Sequence, residues 1–64
     1  MPVITLEAGR MDKNQKDNLI AEFTRVASDI LKIPQDAFVV YLKENQHDNV
    51  GVGGKSLDKV LAGK

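Results

Sequence analysis

Residues 12–32, DKNQKDNLIAEFTRVASDILK, decide how this chain folds. Leu19, Ile20, Phe23, Val26, Ala27, Ile30 and Leu31 fall at offsets 0, 1, 4, 7, 8, 11 and 12, which is one continuous stripe on a helix. Asp17, Glu22, Arg25 and Asp29 lie off the stripe, as solvated residues should. Asp12 is placed to cap the N-terminus, and Gln15 three residues on completes a capping box. Pro34 disfavours the α conformation at Ile33, so the helix should span about 13–32.

On either side of the helix lies a strand. Val3–Glu7 is short, β-branched and apolar, and Gly9 permits the turn that ends it. Residues 38–44 contain the consecutive apolar run Phe38 to Leu42, the pattern of a strand covered on both faces. Strand, helix, strand is a βαβ unit, expected to have a right-handed crossover. Two strands and one helix cannot cover both faces of their own sheet, so other copies must meet what remains open. Val50-Gly51-Val52-Gly53-Gly54 is too glycine-rich for a regular strand interior and predicts a tight hairpin near 50–54. Leu57, Val60 and Leu61 have helical spacing over a short segment. The whole, residues 1–64, reads as one small α+β domain.

A chain of 64 residues buries only about 60% of the surface its unfolded form exposes. Folds of this size usually need disulfides, metal or oligomerisation. There is no cysteine, and a single histidine, His47, cannot build a metal site alone. Self-association is the remaining source of burial. Nine basic and nine acidic residues cancel, leaving no electrostatic footprint for nucleic acid. No apolar run reaches the length of a membrane span and no signal-peptide pattern precedes the first strand, which predicts a soluble, cytoplasmic protein.

Two motifs invite chemistry and lose it on inspection. Gly54-Lys55-Ser56 looks like the end of a phosphate-binding loop, but the glycine needed five positions earlier is Asn49. Glu44, His47 and Asp48 could be imagined as metal ligands, although a polar loop carries such residues for solubility alone. No serine or cysteine nucleophile has a partner base at readable spacing.

Met1-Pro2 is different. Initiator methionine is usually trimmed before a small residue such as proline, so the mature chain is expected to begin at Pro2 with a secondary amine. Chain ends are normally frayed, yet this one opens a core strand, where an amine can be held and desolvated. An exposed α-amino group titrates near pH 8, and burial or a nearby cation lowers that value by disfavouring the ammonium form. Pro2 would then be a base at neutral pH. Arg10, between strand and helix, is either a solvated loop residue or an anion clamp that grips a carboxylate in bidentate fashion, aided by the helix N-terminus.

Taken together, these residues resemble the 4-oxalocrotonate tautomerase family. The likeness lies in Met-Pro opening a strand, an arginine ahead of a Gln-Lys-containing helix start, and Leu19-Ile20 within the helix. Pro34 at the helix end, Glu44 in the second strand and Gly51-Val52-Gly53-Gly54 complete it. The resemblance implies βαβ subunits pairing into four-stranded sheets, with three such dimers forming a homohexamer. It also implies that Pro2 shuttles protons in keto-enol isomerisation without a cofactor, and that Arg10 helps to hold a substrate carboxylate.

The departures are informative. The family's second arginine falls at Val39, and the aromatic residue that walls the pocket falls at Val50. The resemblance therefore implies apolar walls at both positions. Losing one of two guanidiniums removes a charge-assisted contact worth roughly 1.5–3 kcal/mol. Tyr41 and Lys43 share a strand face with Val39 by the two-residue period, and Lys43 is a candidate replacement charge. The expected activity is isomerisation of a small enol or 2-oxo acid, such as 2-hydroxymuconate. The alternatives are an oligomeric scaffold that keeps the fold without turnover, or the same amine serving dehalogenation or decarboxylation.

Overall fold

A computed structural model describes residues 1–63. Strand β1 (Val3–Ala8) leads into helix α1 (Lys13–Leu31), which returns the chain to strand β2 (Val39–Glu44). A hairpin of β3 (Gly51–Val52) and β4 (Lys55–Ser56) and a short helix α2 (Leu57–Ala62) follow. Single 3-10 turns sit before β2 (Gln35–Ala37) and after it (His47–Asn49).

The helix begins as its sequence demands. Asp12 accepts the Gln15 amide at 2.8 Å and the Gln15 side chain accepts the Asp12 amide at 3.0 Å, satisfying two of the end's orphan donors. At the other end Lys32 takes a left-handed φ of 59° and donates its amide to Ser28. The Ser28 hydroxyl then donates to the Ile33 carbonyl at 2.6 Å. The turn to Pro34 is thus made one residue earlier than the sequence predicts, because Lys32 caps the helix from outside it.

β1 and β2 pair in parallel, in register from Val3↔Val39 to Ala8↔Glu44. Ile4, Leu6, Val40 and Leu42 point towards α1 and are half-buried. Val3, Thr5, Glu7, Tyr41 and Lys43 are exposed on the face opposite the helix. The apolar stripe of α1 is wider than this sheet can cover. Leu19, Phe23 and Ala27 are half-buried, whereas Ile30 is 73% exposed and Leu31 54%. Val26, Ile30 and Leu31 line an apolar groove with Ile4, Phe23 and Ala27.

Among the described residues none is fully buried. The chain exposes 5024 Å², against about 4000 Å² for a compact monomer of this length. Its radius of gyration is 15.3 Å, against about 11 Å for a compact domain. The excess area is what a subunit shows when its partners are taken away.

The hairpin turn is Gly53-Gly54, with φ values of +61° and +85°, the two positive angles that a tight right-twisted hairpin requires. The hairpin therefore spans 51–56, slightly later than the sequence suggested, and Gly54-Lys55-Ser56 is its turn and second strand. No helix among the described residues is long and apolar enough to cross a membrane.

Candidate active site

Pro2 lies half-buried at the start of β1, where its carbonyl accepts the Val39 amide at 3.0 Å. That bond extends the parallel ladder by one residue beyond the strand and fixes the backbone beside the ring nitrogen. Val39 is the residue next to Pro2 across the sheet, and Val3 beside it is 52% exposed. This end of the sheet is apolar and its order comes from backbone hydrogen bonding.

Arg10 stands at the opposite end. With about 3.3 Å of rise per residue through β1, Arg10 and Pro2 of one chain are on the order of 20 Å apart. Lys43, four residues along β2 from Val39, lies on the order of 13 Å from it by the same rise, so Lys43 does not stand in for a charge at Val39 within one subunit. Tyr41 sits midway on the open face, 54% exposed. Val50 also belongs to the far end: its carbonyl accepts the Leu57 amide at 2.6 Å, and it lines a hollow with Gly9, Asn45 and His47. Of the residues singled out in the sequence, the chain brings Pro2 to Val39, and places Arg10, Lys43 and Val50 at the other end.

The Arg10 end carries the same kind of backbone extension, the Asn45 amide donating to the Ala8 carbonyl at 2.8 Å, and is tied further by side chains. Glu44 accepts the Met11 amide at 2.9 Å and the Lys16 ammonium at 2.9 Å. The Met11 amide above all, then Lys16 and the charge of Arg10, hold the Glu44 carboxyl below the usual carboxylate range. One carboxylate thus ties the end of β2 to both the entry and the first turn of α1. Sequence reading placed Glu44 in the strand but missed this role.

Around Arg10 a hollow of about 640 Å³ is lined by Glu44, Gln46, His47, Asp48 and Asp58. Arg10 itself makes no ion pair within 4.0 Å among the described residues. The His47 ring packs against the turn before it, since a Cβ on Gly9 would sit 3.6 Å from His47 Nε2. The Asp58 carboxyl is lowered chiefly by the Ser56 hydroxyl, with the Lys59 amide and the His47 charge contributing less. Glu44, His47 and Asp48 thus surround an arginine, and among the described residues no group of three such side chains is placed to hold a metal ion.

The family model for tautomerase enzymes matches residues 3–59. A probable tautomerase of Listeria monocytogenes is 41% identical over 56 residues, which is 84% of this chain and 90% of that protein. The crystal structure of DmpI from Archaeoglobus fulgidus superposes with a TM-score of 0.81 at 30% identity, covering 89% of this chain and 98% of its own. A 4-oxalocrotonate tautomerase isozyme from Methylibium petroleiphilum gives a TM-score of 0.73 at 25% identity, covering 92% and 94%. The matched region runs from the first strand into the last helix, so the likeness takes in every element of the fold: this chain belongs to the 4-oxalocrotonate tautomerase family and is an isomerase of the tautomerase type.

Proposed function

We propose that Pro2, freed by removal of Met1, is the general base and acid of a cofactor-independent keto-enol isomerisation of a small enol or 2-oxo acid. The observation that carries this reading is the 3.0 Å bond from the Val39 amide to the Pro2 carbonyl, which keeps the terminal residue from fraying. The Pro2 nitrogen takes the proton of the enol hydroxyl. The carbonyl forms, the double-bond electrons move along the conjugated chain, and the prolyl ammonium delivers the proton to the distant carbon. One group of suitable basicity serves both halves of the transfer. Arg10 holds a carboxylate and stabilises negative charge developing on the substrate, while Val39 and Val50 form apolar walls.

Because Arg10 cannot reach the Pro2 of its own chain, the complete site needs two copies. Arg10 and Val50 of one subunit meet Pro2 and Val39 of another. The surface left open by each chain, about 1000 Å² beyond that of a compact monomer, is of the size a stable partner interface covers. A homohexamer built as a trimer of dimers, with β1–β2 sheets paired into four strands, accommodates both the free sheet edges and the open face.

The test compares processed protein with protein retaining Met1 on one enol, such as phenylenolpyruvate. Retention converts the amine of Pro2 into a peptide nitrogen and should lower kcat/KM by at least ~100-fold, the scale of a lost general base. Equal rates would remove Pro2 as the base and leave an oligomeric scaffold as the better reading.

A further inference from the structure

We propose that His47 is the second cation of the carboxylate clamp around Arg10, gripping when protonated and releasing when neutral, so that a dicarboxylate is accepted chiefly while the imidazole is charged. The inference rests on the reading of the Arg10 hollow as the carboxylate-binding part of the site.

Three observations lead to it. Val39 carries no charge, so a second carboxylate must find its cation elsewhere. His47 lines the same hollow as Arg10, and its exposed ring lies beside Gly9, the residue preceding the arginine. The charged groups facing it come from every neighbouring element. They are Arg10 from the turn after β1, Glu44 from the end of β2, Asp48 from its own 3-10 turn and Asp58 from α2.

Their charges set up a switch. Glu44 is already engaged by the Met11 amide and Lys16. That leaves Asp48 and Asp58 against Arg10 alone while His47 is neutral, a net negative hollow that repels a second carboxylate. Protonation of the imidazole balances the hollow and puts a donor beside the guanidinium. Histidine is the side chain whose ordinary charge change falls between about pH 5 and 8. The dependence has the sign of a cation lost: dicarboxylate binding weakens as pH rises. A monocarboxylate held by Arg10 alone is affected less.

His47 is the only histidine in the chain, so its ring signals in an NMR titration are unambiguous. The processed, full-length protein is titrated with and without adipate, a dicarboxylate that cannot react, and with hexanoate as the monoacid control. Adipate should raise the His47 midpoint by about one pH unit, the reciprocal of a roughly tenfold preference for the protonated form. Hexanoate should move it much less. Adipate that shifts the Arg10 side-chain N–H signal but leaves the His47 midpoint in place overturns the role of His47 while the Arg10 clamp stands. Adipate that moves neither overturns both. With 2-hydroxymuconate as substrate, KM should rise roughly tenfold as pH rises through the His47 midpoint that the NMR titration measures. H47Q should show the high-pH value throughout and H47R the low-pH value throughout. A slope that survives in H47Q assigns the pH dependence to another group and overturns the proposal.

Discussion

The two ends of the β1–β2 ladder share a backbone extension and differ in what the side chains add to it. At the Pro2 end the neighbours are Val3 and Val39, and order comes from a backbone hydrogen bond that any sequence could make. At the Arg10 end a matching backbone bond, from the Asn45 amide to the Ala8 carbonyl, is supplemented by side chains: Glu44, His47, Asp48 and Asp58 line the hollow around the arginine, and Lys16 pairs with Glu44. The first end offers a fixed position in an apolar setting, which suits a base. The second offers charge, which suits a clamp. On the proposed reading, separating them by a strand keeps a guanidinium away from the amine of its own chain and makes catalysis conditional on assembly.

The largest effect should come from forcing the two ends to be supplied by separate chains. R10A should lower kcat/KM for a carboxylated enol by roughly 10- to 150-fold, the value of one charge-assisted contact, and affect an uncharged enol less. Met1-retaining protein should be inactive on its own. Unfolded together and refolded as a mixture, the two should recover roughly a quarter of the normal sites, because half the copies supply each good part. A mixture no more active than its components would place both ends of the site in one chain.

Assembly itself is the next point of attack. Ile30 is 73% exposed on the edge of the helix stripe. In a monomer, lysine there would change stability by no more than about 0.5 kcal/mol. At the centre of an interface, I30K should cost on the order of 2 kcal/mol, about 30-fold in association. Sedimentation should show the native protein as a hexamer, or at least a dimer, and I30K as a smaller species. A native protein that sediments as a folded monomer would end the two-copy site.

How far the sequence could lead follows the same division. Helical periodicity, the Asp12–Gln15 box and Pro34 place α1 because each acts over a few residues, and the parallel ladder follows from two short apolar runs with a helix between them. Lys32 in a left-handed cap was not legible, since glycine is the usual signal there. The placement of Arg10 far from Pro2 needed only the length of β1, whereas the likeness to the family put them in one site. What no local pattern contains is the grouping of Glu44, His47 and Asp58 around the arginine, because these residues come from β2, a turn and α2. Gly51 illustrates the limit from the other side. It belongs to the glycine-rich run read as a hairpin, but within that run only Gly53 and Gly54 have positive φ, and a Cβ on Gly51 would meet the Lys55 carbonyl at an ordinary 3.9 Å.

The smallest effect should be the most local. Glu44 has its carboxyl held below the ordinary value of 4.5 by the Met11 amide and Lys16. A carboxyl lowered in the folded state contributes stability that is present in full above its unfolded value and is lost as pH falls through the folded one. Acidification below about pH 4.5 should therefore loosen the Arg10 end and leave the Pro2 end intact, because the Val39–Pro2 bond contains no titrating group. Hydrogen exchange can resolve this residue by residue. The protection of the Met11 amide should fall on acidification while that of the Val39 amide holds, after correction for intrinsic rates. In E44Q the Met11 amide keeps an acceptor but loses the charge, so its protection should be lower at neutral pH and flat with acid. Parallel loss at Met11 and Val39 would mean that the two ends open together as one unit, and that the side-chain ties at the Arg10 end add no separate stability.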